Sequence, residues 1–160
     1  MYKIPEKKHY TMINKYEKKL YSQNGEDGVI NYIFLVIKTK TKKFVEFGFG
    51  INENNSINLI VNHDFDGLFI DGNKNTCLQS KQLYKRVTKK NIQFLNAFIT
   101  KQNINGLIGR HCRGEIDFLS IDIDGNDCHI LDTITCVKPR VICVEFCSSI
   151  GPYRSVTVKY

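Results

Sequence analysis

The sequence predicts an α/β fold built as a doubly wound, mostly parallel sheet. Three observations predict it. Short apolar runs recur at 44–48, 67–71, 92–98, 115–122 and 140–146. Segments with helical spacing separate them, an alternation that specifies strands joined by helical crossovers. The runs are nearly continuous in apolar residues, as at Ile116, Phe118, Leu119 and Ile121. Strands covered by helices on both faces read this way.

The elements follow in order. Residues 10–20 predict a short helix. Ser22-Gln23-Asn24-Gly25-Glu26-Asp27 opens a second helix, with Ser22 or Asp27 as its cap and Val29, Ile30, Ile33, Phe34 and Ile37 as its apolar face. Strand one is 44–48 and a helix covers 55–63. Strand two is 67–71, and the next helix is 75–86, with Leu78, Leu83 and Val87 marking its buried side. Strand three is 92–98, followed by a short helix at 103–108. Strand four is 115–122, a helix spans 127–137, and strand five is 140–146. Ser155 to Val158 predict a short extra strand.

With 160 residues, the chain is one domain by length. It divides into a basic leader, 1–20, and a domain, 21–160. No window offers about 18 uninterrupted apolar residues, so no membrane span is expected, and the amino terminus has no apolar run. These features favour the cytoplasm. The net charge is +7, and residues 1–43 hold ten Lys against four acids. A solvated Lys-rich leader accounts for this, so no nucleic acid partner is favoured. The six cysteines form no Cys-x-x-Cys pair and no zinc spacing with the four histidines, so they are read as reduced thiols.

Ligands of open α/β sheets bind beyond the carboxyl ends of the strands. Those ends carry Glu46, Gly48 and Gly50 on strand one, Asp71 on strand two and Asn96 on strand three. Strand four ends at Asp122-Ile123-Asp124-Gly125-Asn126-Asp127, and strand five at Glu145. Glycines let a ligand approach the backbone, and an acid ending strand two accepts hydrogen bonds from ribose hydroxyls. Gly48-Phe49-Gly50 starts like a dinucleotide fingerprint, but Glu53 stands at the third glycine. A carboxylate there repels a pyrophosphate, which argues against NAD. S-adenosylmethionine carries a cationic sulfonium and no phosphate, so Glu46 is compatible with it. Asp122 is the first candidate at the reacting centre, and His129 and Asp124 are candidate bases that the sequence does not distinguish. Asp122, Asp124 and Glu145 suit a hard divalent cation, although a metal is not favoured.

Several stretches together resemble the FkbM-type methyltransferases: Tyr21 to Gly28, Val45 to Gly48, Asn58 to Ile60, Gly67 to Gly72, Asn103 to Asn105, Ser120 to Asp127 and Pro139 to Phe146. The resemblance covers about 21–160, in the right order. It implies a Rossmann-like, S-adenosylmethionine-dependent O-methyltransferase acting on a hydroxylated small molecule or glycan. It places the donor over Glu46, Gly48 and Gly50 with its ribose on Asp71, the Ser22-Gln23 segment close to the donor, and Asp122 facing the methyl group. Two departures accompany it. Cys147 stands where the family tends to have Asn, and the C-terminal strands that such enzymes carry are missing after the fifth. The alternative is therefore a non-catalytic or truncated Rossmann-like binding module. An oligomer is one way to cover the exposed sheet edge.

Overall fold

The computed structural model describes residues 13–146, 156 and 158–160. A 3-10 turn at Ile13–Tyr16 precedes α1 (Glu26–Ile37). The remaining elements are β1 (Lys43–Phe47), α2 (Ile57–His63), β2 (Asp66–Asp71), α3 (Lys74–Val87), β3 (Ile92–Asn96), α4 (Ile104–Gly109), β4 (Gly114–Ile121), α5 (Asp127–Leu131) and β5 (Val137–Val144). The five strands form one sheet in the order β3-β2-β1-β4-β5. Every pairing is parallel. This is the Rossmann-like, doubly wound arrangement, and strand order reverses between β1 and β4.

Alternate side chains of each strand enter opposite cores. Phe44, Phe69 and Phe118 pack with Ile30 and Phe34 of α1, Leu59 and Ile60 of α2, and Tyr84 of α3. Val45, Phe47, Leu68, Ile70, Leu119 and Ile121 pack on the other face with Ile104 and Ile108 of α4 and Ile130 of α5. The central strands β1, β2 and β4 are mainly apolar on both sides because both faces are covered.

Several expected elements differ. The first helix shrinks to the turn at 13–16 among the described residues. Lys-rich residues there lack an apolar face to bury. The helix expected at 127–137 ends at Leu131. β5 then begins at Val137 and carries Pro139 as an edge strand, the place where a missing N–H is tolerated. On α3 the buried residues are Cys77, Ser80 and Tyr84. Leu78 and Val87 are 49% and 56% exposed, so the apolar spacing misplaced that face. Tyr84 governs it: its ring packs edge-on against Phe69 and Phe94.

Buried aspartates organise the loops. Asp27 does not cap α1. Its Oδ2 instead accepts the amides of Leu20, Tyr21 and Ser22 at 2.6–2.9 Å, while Ser22 Oγ accepts the Asp27 amide at 3.1 Å. Tyr16 stacks on Tyr32 of α1 with centroids 3.5 Å apart. Residues 13–22 are thereby packed onto the domain. The expected extra strand at 155–158 lies largely outside the described residues, as do residues 1–12 of the leader and Cys147. The five described cysteines are free. No helix among the described residues is long and apolar enough to cross a membrane.

Candidate functional site

The site grows from the reversal point between β1 and β4. After Phe47 the chain must leave the sheet against the end of β4. Gly48 does so with φ +63°, and a Cβ there would lie 1.5 Å from the Asp122 carbonyl oxygen. Only glycine tolerates both the angle and the contact. The Asp122 amide donates to the Phe47 carbonyl at 3.2 Å, and the Gly48 amide to that of Ile70 at 3.2 Å. The ends of β1, β2 and β4 are thus locked together.

Two clefts meet at Gly48 and Asp122. The larger, about 590 Å³, is lined by Asp71, Gly72, Asn73, Ala97, Phe98, Ile99, Ile123 and Asp124 among others. The smaller, about 230 Å³, is lined by Gln23, Glu26, Glu46, Gly50, Glu53, Asn54 and Asn55. The sequence candidates Gln23, Glu46, Gly48, Gly50, Asp71, Asp122 and Asp124 therefore share one continuous rim. Asn96 lines neither cleft. Its side-chain amide donates to the carbonyls of Asp71 and Gly72 at 2.9 Å each, bracing the turn after β2.

The smaller cleft is acidic. Glu46 is 2% exposed, and one of its oxygens accepts the Asn55 amide at 2.9 Å. The other, Oε2, has no protein partner. Burial, with a contribution from the nearby Asp122 charge, pushes Glu46 up to about 7. Partial burial and the repulsion of Asp127 and Asp124 raise Asp122 above its ordinary value, although a hydrogen bond with Glu145 opposes this. Glu145 is raised by burial and by Asp122. Oxygens of Asp122, Asp124 and Glu145 lie within 4.8 Å of one another, a spacing that a hard divalent cation can bridge. All three residues are exposed.

The segment entering α2 has already used its amides. The Asn55 amide binds Glu46, and those of Ser56 and Ile57 bind Asn54 Oδ1 at 3.2 and 3.0 Å. Asn54 also donates to the Gly50 carbonyl at 3.1 Å, and Asn55 to Ser120 Oγ at 3.0 Å. The amides of residues 55–57, just ahead of and at the start of α2, are thus all occupied within the protein.

In the larger cleft, Asp71 Oδ1 accepts the Asn73 amide at 2.6 Å and Oδ2 the Phe49 amide at 3.4 Å. The carboxylate is held in place at the end of β2. Phe98 was legible only as the end of an apolar strand, but β3 stops at Asn96 and the Phe98 ring is 81% exposed beside Gly72. Asn54, Asn55 and Glu26 were also missed, because no periodic signal marks residues that serve a loop.

Compared with known proteins, the chain matches no family model, no curated protein and no solved structure.

Proposed function

We propose that the chain is an S-adenosylmethionine-dependent O-methyltransferase of the FkbM type. The observation that carries the proposal is the pair of clefts meeting at Gly48 and Asp122, with the Asp71 carboxylate held by two backbone amides in one and four carboxyl groups in the other. The adenosine end of the donor fits the larger cleft, its ribose hydroxyls donating to Asp71. The cationic end fits the smaller one, where Glu26, Glu46 and Asp122 favour positive charge, Glu53 being paired with Lys19 at 2.7 Å. The same acids, and the consumed amides before α2, disfavour a pyrophosphate.

Methyl transfer needs alignment of acceptor oxygen, methyl carbon and sulfur. In this reading Asp122, which lines both clefts, faces the methyl group. Asp122 or Asp124 takes the acceptor's hydroxyl proton as the O–C bond forms and the C–S bond breaks. The acceptor is a hydroxylated small molecule or glycan, and the cytoplasm supplies the donor. Isothermal titration with S-adenosylmethionine and, separately, NAD tests the reading. Saturable binding of the former alone supports it. Asp71→Ala then weakens binding by about 1–3 kcal/mol, the worth of a lost buried hydrogen bond. NAD binding, or an Asp71→Ala variant that binds as tightly as the parent, overturns it.

A further inference from the structure

The charges of this chain are segregated. Residues 72–114 hold nine Lys and Arg and no Asp or Glu, while the whole chain carries only +7. Six of the nine lie on α3 and the connection after it: Lys74, Lys81, Lys85, Arg86, Lys89 and Lys90. Lys74, Lys81 and Lys85 follow an i, i+7, i+11 spacing, which places them on one stripe of the helix. Lys90 pairs with Asp64 at 2.9 Å. The other five are exposed, and none forms an ion pair among the described residues.

A groove of about 190 Å³ runs between α3 and the β3 edge of the sheet. Lys81, Lys85, Lys89 and Lys90 rim it, and half-buried Ile92 and Phe94 line it below them, with the core residue Tyr84 at its floor. The Tyr84 and Phe94 rings meet edge-on with centroids 5.4 Å apart. Lys81 and Lys85 stand about 6 Å apart along the helix axis. Exposed cations four residues apart on a helix repel one another, and a polyanion relieves the repulsion. Ammonium groups tracking a backbone beside aromatic rings are the recurring means of holding single strands. A membrane surface calls for a convex apolar face rather than a slot, and an acidic protein makes no use of the rings.

We propose that this groove binds single-stranded nucleic acid, with phosphates on Lys81, Lys85 and Lys89 and a base against the Phe94 side. The groove shares no lining residue with the donor clefts. Its test is run without donor, so failure here and failure of the methyltransferase reading are separate results.

The test is fluorescence anisotropy of the full chain with a labelled oligouridylate of about 20 nucleotides, titrated between about 50 and 200 mM salt. Saturable binding is expected, with affinity falling linearly on logarithmic axes as salt rises. Replacing Lys81, Lys85 and Lys89 together by Gln should weaken binding about tenfold or more and flatten the salt slope by about 2. These side chains are exposed, so the melting temperature should not move. Absence of binding at about 50 mM salt overturns the proposal. So does a triple variant that binds like the parent, which would move the contact to another basic segment. Uptake by phosphatidylserine vesicles with no oligonucleotide binding also overturns it.

Discussion

Asp117 and Arg140 form a closed ion pair at the foot of the sheet, Nη1 lying 2.6 Å from Oδ1. Asp117 is fully buried, and its other oxygen accepts the amides of Lys40, Thr41 and Lys42 at 2.8 Å each. Arg140 also donates to the carbonyls of Ile37 and Lys38. One carboxylate thus joins the end of α1, the start of β1, β4 and β5. The junction lies at the end of the sheet opposite the clefts, which assigns it to stability and leaves it out of the chemistry.

Asp117→Asn should therefore destabilise the fold by about 3–5 kcal/mol, the loss from breaking a buried pair. Burial opposes the charge, but Arg140 and the three amides outweigh it and hold the carboxyl below its ordinary value. The stability that it contributes is present above the unfolded-state value of about 3.9 and is lost as pH falls through the folded one. Urea denaturation across pH should show the parent–variant gap widest above about pH 4 and closing in acid. A constant gap would mean that the amides, and not the charge, carry the effect.

Gly48→Ala should be among the most damaging single changes in the chain. The new Cβ meets the Asp122 carbonyl at 1.5 Å in a backbone already at φ +63°. Relief requires separating β1 from β4 where their ends interlock. A loss of about 4 kcal/mol or more is expected. Gly106 has nothing within 4 Å of its own added Cβ and provides the control. Equal urea midpoints for the two alanine variants would contradict the packing described.

Much of this architecture was legible in the sequence. The central runs are apolar on both faces, as at Phe44 and Val45, Leu68 and Phe69, and Phe118 and Leu119, and burial between two helical layers leaves that mark directly. The acids at strand ends were legible for the same reason, because a carboxylate that follows a buried run must stand at the rim. What stayed hidden depends on three-dimensional contact. The side of α3 that turns inward follows the Tyr84 ring, not the count of apolar residues. The short α5 reflects the early start of β5. Phe98 and Asn96 adjoin in the same stretch, yet one offers an exposed ring and the other braces a turn, and no spacing distinguishes them.

Glu46→Gln should separate stability from binding. Folding raises Glu46 from its ordinary 4.5 to about 7, chiefly by burial. The raised value stabilises the fold fully below pH 4.5 relative to high pH, and that contribution is lost as pH rises through 7. Above pH 8 the buried charge thus costs up to about 3 kcal/mol, which the neutral variant avoids. Glu46→Gln should melt higher than the parent at pH 8 and nearly equal to it at pH 5. Donor affinity should behave in the opposite sense. In the parent it should rise with pH through 7, as the carboxylate ionises beside a cationic ligand. In the variant this rise should be absent. A parent affinity that is flat between pH 6 and 8 would remove Glu46 from the donor's surroundings.

Phe98 provides the sharpest test of the larger cleft, because its ring supports nothing inside the protein. At 81% exposure it contributes little to the core, so Phe98→Ala should leave the melting temperature unchanged. The ring nevertheless stands beside Gly72, one residue beyond the carboxylate assigned to the ribose, and lines the cleft with Ile123. A nucleoside held by Asp71 would bring its base within reach of that ring. Base–aromatic stacking is worth about 1–3 kcal/mol, so affinity for S-adenosylmethionine, and for adenosine alone, should fall about fivefold to a hundredfold. Phe98→Tyr keeps the ring face and should restore most of the affinity. A loss for S-adenosylmethionine without a loss for adenosine would place the ring at the methionine end and reverse the donor's orientation in the two clefts.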